Sequence, residues 1–358
     1  MLYTRRDAGK IAVAALPLAR ALGAPNSRFN GVQIGVITYS FRGMPDLDEI
    51  IKAMVQIGLN EVELMSNTAE TFAGAPSTGF GRFPGGPGRG PGAGPGGAPG
   101  AAPGGPPGGA PGAGPGGPPP AGQAPGRGGG GRMPMTPEQQ AAMRARQEEL
   151  RKWRLSAPMD KFKAVRQKFD DAGIHLSLLC FNMRDAMSDE EVDYAFQMAK
   201  ALGAKGLTSS TTVSMSKRIA ALADKHRMLV GYHGHDQTSD PNEFATLESY
   251  ATAFTYSKYN GVNLDIGHFT ASNYDASAFI KEHYGRITNL HLKDRKKDHG
   301  PNVPWGQGDT PIKDVLQLLR RQQYPFPANI ELEYPVPQGS GVVTEIAKCL
   351  QYCREALA

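Results

Sequence analysis

Four of the eight histidines in this chain stand in short apolar runs beside carboxylates or lysine. The runs are Val230-Gly231-Tyr232-His233-Gly234-His235-Asp236, Asn263-Leu264-Asp265-Ile266-Gly267-His268 and Asn289-Leu290-His291-Leu292-Lys293-Asp294. A fourth run, Ile330-Glu331-Leu332-Glu333, carries two carboxylates at strand spacing and no histidine. An isolated buried histidine is usually a structural one satisfied by a backbone partner. Four such runs in succession point instead to a site. A mixed set of imidazole and carboxylate suits Mn²⁺, Co²⁺, Mg²⁺ or Zn²⁺. An ion of that kind grips two oxygens of a hydroxy-ketone, polarises the carbonyl and stabilises an enediolate. A general base beside it then removes the proton α to the carbonyl.

These runs need a scaffold that brings four strand ends together. The chain alternates short β-rich runs with amphipathic stretches. Strands are expected at Gln33–Ser40, Glu61–Met65, His175–Cys180, Gly206–Ser209, Met228–His233, Val262–Asp265, Ile287–Leu292 and Asn329–Glu333. Helices are expected at Leu47–Ile57, Pro137–Asp171, Asp189–Leu202, Ser214–Lys225, Asn242–Tyr256, Ala276–Tyr284, Pro311–Arg321 and Val342–Leu357. Strict alternation implies a parallel sheet with right-handed crossovers. Eight units, with no Gly-x-Gly-x-x-Gly after the first strand, favour a closed (β/α)8 TIM barrel over an open doubly wound sheet. In that fold the site lies at the C-terminal ends of the strands, where all four runs fall.

Composition separates the barrel from two other segments. Glycine (45) and proline (29) far exceed ordinary usage, and most of the excess lies in residues 74–132. That Gly/Pro/Ala-rich stretch has no large apolar residue after Phe83. It cannot repay the entropy of ordering, so it is expected to be a disordered insertion after strand 2. Residues 1–24 read as an export signal: Thr4-Arg5-Arg6-Asp7 with Lys10 resembles a twin-arginine motif, and Ile11–Leu18 is apolar but too short to span a bilayer. The alternative there is a frayed amphipathic helix. What remains, residues 31–358 without the insertion, is about 270 residues, the usual size of one such barrel.

The formal charge is +5, of which the first 24 residues contribute a net +3 through Arg5, Arg6, Lys10 and Arg20 against Asp7, leaving +2. So small an excess gives no case for nucleic acid, and no later stretch supports stable membrane insertion. Cys180, Cys349 and Cys353 read as buried small hydrophobes; the last two, four residues apart on a helix, are poorly placed for a disulfide.

Taken together, Leu264-Asp265-Ile266-Gly267-His268, His291-Leu292-Lys293-Asp294 and Pro304-Trp305-Gly306-Gln307-Gly308-Asp309 resemble the xylose isomerase-like barrels. That family includes sugar phosphate isomerases/epimerases, ketose 3-epimerases and inosose dehydratase. The resemblance runs from Val32 to the C-terminus, apart from the insertion. It implies a divalent-metal-dependent isomerase or epimerase. Asp265 and His291 would be metal ligands, and His268 a contact to substrate hydroxyls. Glu331 would be both ligand and catalytic group, with Glu333, of the same strand parity, as the alternative. One departure stands out: where the family's epimerases end strand 5 with a glutamate, this chain has His233. His233 can ligate the metal and take a catalytic part, but the paired-glutamate mechanism does not carry over intact. Tyr232-His233-Gly234-His235 is more like the strand-5 end of inosose dehydratase. His235, Lys293 and Arg295 are further candidates for substrate binding, with a solvated basic loop at Lys293, Arg295 and Lys297 as the alternative. Tyr39, Phe41 and Asn182 are candidate pocket walls.

The expected partner is therefore a small carbohydrate, without a phosphate since the protein is read as exported to the periplasm. Self-association into a homo-oligomer is left open. A keto-sugar or cyclitol dehydratase and a non-catalytic sugar-binding barrel are the competing readings. An abasic-site endonuclease of the same fold is disfavoured by the modest charge and the few histidines.

Overall fold

The computed structural model describes residues 24–44, 46–76 and 136–358. Except at their edges, the expected export signal and Gly/Pro-rich insertion lie outside the described residues. By contacts the chain divides into residues 1–78 with 146–358, which hold the barrel, and residues 79–145. Of the latter, residues 136–145 are described and begin a helix capped by Thr136, whose hydroxyl accepts from the Gln139 amide at 3.2 Å.

Eight parallel strands form the barrel: β1 (Val32–Ile37), β2 (Glu61–Met65), β3 (His175–Cys180), β4 (Gly206–Ser209), β5 (Leu229–His233), β6 (Asn260–Asp265), β7 (Ile287–Leu292) and β8 (Ala328–Ile330). Each pairs with the next, and β8 closes on β1 through Ile34↔Ala328, Gly35↔Asn329 and Val36↔Ile330. A two-residue strand, Arg28–Phe29, lies antiparallel along β1. Side chains alternate across each strand. Val62, Leu64, Val262, Leu264, Leu290 and Ile330 are buried in the hydrophobic core. The alternate set, Glu63, Asn263, Asp265, Asn289, His291 and Asn329, is equally buried but polar. Hydrogen bonds that Glu63 on β2 accepts from Asn263, Asn289 and Asn329 cross from strand to strand, so this set faces the barrel interior. Register then delivers the site, because Asp265 lies opposite His291, and His291 opposite Asn329.

The helices around the barrel are α1 (Leu47–Ile57), α2 (Ser66–Ala73), α3 (Pro137–Ser156), α4 (Met159–Asp171), α5 (Asp189–Ala201), α6 (Val213–His226), α7 (Leu247–Tyr256), α8 (Ile266–Ala271), α9 (Ala276–His283), α10 (Ile312–Gln322) and α11 (Val342–Leu357). Their ends follow from local chemistry. Asp46 caps α1 by accepting from the Asp48 and Glu49 amides, and Ser188 with Glu191 forms a capping box on α5.

Four expectations are corrected. The stretch Pro137–Asp171 is two helices, because Pro158 has no N–H to continue the ladder and opens α4 instead. α2 follows β2 directly, an eight-residue helix that the hydrophobic pattern of the sequence does not mark. Gly74 ends α2 with φ 91°, so the first residue of the stretch read as the insertion is a helix cap. Finally, β1 stops at Ile37 and Thr38–Phe41 forms a 3₁₀ turn, because Thr38 and Ser40 turn their hydroxyls to backbone groups of neighbouring strands. The three cysteines are buried and free. Among the described residues no helix is long and apolar enough to cross a membrane.

Candidate metal centre

Four residues converge at the C-terminal mouth of the barrel. His233 ends β5, Asp265 ends β6, His291 is the penultimate residue of β7, and Glu331 directly follows β8. Each offers one ligand atom, these atoms lie within 4.8 Å of one another, and all four residues are buried. The His233 and His291 ring centroids are 4.8 Å apart, and His291 Nδ1 lies 3.2 Å from Glu331 Oε2. Asp265 is held through its other oxygen: Oδ1 accepts from the His268 amide at 2.8 Å and so caps α8. Glu331 is fixed by its flanks. Ser40 Oγ donates to the Ile330 carbonyl and accepts from the Leu332 amide, while the Glu331 amide donates to the Leu292 carbonyl.

A divalent cation fits what these residues lack. His233 Nδ1 is buried without a hydrogen-bond partner, whereas Asp265 Oδ2 and Glu331 Oε2 share the single Lys293 ammonium at 2.9 Å and His291 Nδ1 faces Glu331 Oε2 at 3.2 Å. Buried polar groups are normally satisfied, and one ammonium shared between two buried carboxylates leaves ligand capacity on the converging residues. Two nitrogens and two carboxylate oxygens form a donor set suited to Zn²⁺, Mn²⁺ or Co²⁺.

Behind the four stands Glu63, a residue the strand-end reading passed over because it lies in mid-barrel. It is fully buried and collects five donors. Thr208 Oγ1 and Asn263 Nδ2 reach Oε1, the first by a short hydrogen bond. Asn289 Nδ2 at 2.8 Å, Asn329 Nδ2 at 3.0 Å and His291 Nε2 at 2.7 Å reach Oε2. With Nε2 committed to Glu63, His291 presents Nδ1 to the cluster, the usual way an outer carboxylate orients a ligating imidazole. Three strand asparagines at alternating positions are the signal that could have exposed this layer from the sequence.

Electrostatics follow from the crowding. Burial, reinforced by His291, holds the His233 imidazole well below its ordinary range, so it is neutral. Burial alone would do the same to His291, but the Glu63 and Glu331 carboxylates outweigh it and raise that group well above its usual value. Burial would also raise the Glu331 carboxyl, yet Lys293 and His291 outweigh it and keep the group ionised.

The substrate-contact candidates lie around this centre. Lys293 is buried, its Nζ 2.9 Å from Asp265, 2.9 Å from Glu331 and 2.7 Å from Glu333. Arg295 is also buried; it pairs with Asp236 at 2.9 Å and donates to the Gly300 carbonyl. The alternative of a solvated basic loop therefore fails for both, because carboxylates compensate their charges, and holds only at exposed Lys297. His268 Nδ1 faces Asp236 Oδ1 at 3.1 Å and Arg295. His235 pairs with Glu243 at 3.3 Å and, with His268, stands edge-on to the His233 ring. Between the two strand-8 candidates, Glu331 joins the cluster, whereas Glu333 lies outside it, more exposed and tied to Lys293 and Asn302. Phe41 is a core residue and Asn182 accepts from the Ser210 amide; neither contacts the cluster by hydrogen bonding.

Comparison with known proteins agrees with this architecture. No curated protein matches the chain in sequence. Among solved structures, the probable 3-DHS dehydratase AsbF involved in petrobactin synthesis, from Bacillus anthracis, is 12% identical over 89% of this chain and 98% of its own, with a TM-score of 0.54. The 3-keto-D-glucoside 4-epimerase YcjR from E. coli is 8% identical over 90% and 99%, with a TM-score of 0.52. The IOLI protein, solved with a bound zinc atom, is 13% identical over 91% and 96%, with a TM-score of 0.50. At such identities the likeness is one of fold. The family model for the xylose isomerase-like TIM barrel matches residues 135–353, more than half of the chain, and the chain belongs to that family.

Proposed function

We propose that this protein is a divalent-metal-dependent isomerase or epimerase acting on a small sugar or keto-sugar. The observation that carries the reading is the buried His233–Asp265–His291–Glu331 cluster, whose four ligand atoms lie within 4.8 Å of one another. Bound there, a divalent ion supplies Lewis-acid polarisation of a carbonyl and its neighbouring hydroxyl. Glu331, ionised at the edge of the cluster, is the base that removes the proton α to that carbonyl. His233, neutral and in the same cluster at the end of β5, is the second group placed to hold or return a proton. His268 and His235 bind substrate hydroxyls from the rim. Lys293 and Arg295 are already committed to carboxylates, which favours a sugar without a phosphate. The twin-arginine-like N-terminus adds export to the proposal, testable by cell fractionation.

A dehydratase is the second reading. It is favoured by His233 standing where a second catalytic carboxylate would be needed for two-sided proton transfer, and one solved structure of this fold is a probable dehydratase. Metal analysis of the purified protein, followed by a keto-sugar panel monitored by NMR in deuterated water, tests both. Deuterium at a carbon next to the carbonyl without loss of water supports epimerisation; an unsaturated product supports dehydration. D265N should abolish metal binding and turnover together, and retained turnover would refute both readings.

A further inference from the structure

The lysine at the centre has a position that substrate binding alone does not explain. Lys293 Nζ sits 2.9 Å from Asp265 Oδ2 and 2.9 Å from Glu331 Oε2, one ammonium shared between two buried carboxylates. Its third partner, Glu333, is at 2.7 Å and is the most exposed of the three carboxylates, at 23%. The stem is pinned, since a Cβ added at Gly267 would lie 2.8 Å from the Lys293 carbonyl and 3.0 Å from its Cβ and Cγ. Only the distal end of the side chain is therefore at liberty to choose among carboxylates. Two buried carboxylates side by side are strongly destabilising unless a cation compensates them.

We propose that the Lys293 ammonium is the internal counter-ion of this centre, holding Asp265 and Glu331 until a divalent cation displaces it onto Glu333. The inference rests on the metal-site reading above and deepens it. It makes the metal-free barrel a folded state and makes metal uptake an exchange of one cation for another. A lysine that merely oriented the ligands would help metal binding; a counter-ion opposes it.

Competition with a chromophoric chelator, using Mn²⁺ and Zn²⁺ on the full chain, separates these cases. K293M should bind both ions at least tenfold more tightly than wild type. Its metal-free form should melt lower than metal-free wild type and recover when Zn²⁺ is added. E333Q, a change at a partly exposed position, removes the acceptor for the displaced ammonium and should weaken binding severalfold, while lowering the metal-free melting temperature less than K293M does. If K293M folds only with metal present, a reverse titration of the loaded variant gives the same comparison. Equal or weaker binding by K293M, with wild type binding normally, overturns the counter-ion role and leaves the metal site standing. Failure of wild type to bind either ion overturns both.

Discussion

Replacing Glu63 by glutamine keeps the size of the side chain but turns one acceptor oxygen into a donor. In the native barrel its two oxygens accept from Thr208, Asn263, Asn289, Asn329 and His291. Whichever way the amide is turned, its NH₂ faces two or three donors that were formerly satisfied. Removing one partner of a buried charged network costs about 3–5 kcal/mol, and E63Q should lose stability of that order in urea unfolding of the metal-free protein. Loss of the outer carboxylate behind a ligating histidine typically costs about 10–100-fold in metal affinity, and chelator competition with Zn²⁺ should show a loss in that range. Asn329→Ala is the control. It removes one donor to the same oxygen without touching His291, so stability should fall while metal affinity stays near wild type. If E63Q binds Zn²⁺ as tightly as wild type, Glu63 does not orient His291, whatever happens to stability.

Two further tests address the scaffold. G267A forces a Cβ against the Lys293 backbone and stem; overpacking of this kind costs about 1–3 kcal/mol, and an unchanged thermal midpoint would show that α8 and the segment after β7 are free to separate. Asp193 pairs with Lys225 at 2.7 Å and His226 at 2.8 Å. Burial opposes ionisation there, but the two partners outweigh it and hold the carboxyl below its usual range. A carboxyl depressed in the folded state stabilises above its unfolded value, near pH 4, and that contribution is lost as pH falls further. Urea midpoints for wild type and D193N should therefore differ at neutral pH and converge in acid; a gap that stays constant down to about pH 2 would contradict this sign.

Much of this molecule is legible in one dimension. The β/α alternation follows from hydrophobic periods that each segment carries by itself, and β2, β3, β4 and β7 lie where the sequence puts them. The glycines and capping residues that end helices act over three or four residues, so they too are visible locally. Asp265, His291 and Glu331 stand out because a barrel collects its strand C-termini at one face, and an apolar run that ends in a ligand is recognisable without coordinates.

Other features required the closed barrel. Glu63 lies more than two hundred residues from His291, and only the meeting of β2 with β6, β7 and β8 across the interior makes it a partner. Ser40 grips both flanks of Glu331 only because β8 closes on β1. Lys293 read equally well as a solvated cation or a substrate contact until the fold set three carboxylates around it. Strand parity allowed either Glu331 or Glu333 to join the centre; the end of β8 and the grip of Ser40 selected Glu331. The sequence determined which residue types line one rim, because that depends on local period. Which of them share a proton, a charge or a ligand position depends on contacts between distant segments, and the tertiary structure alone decided that.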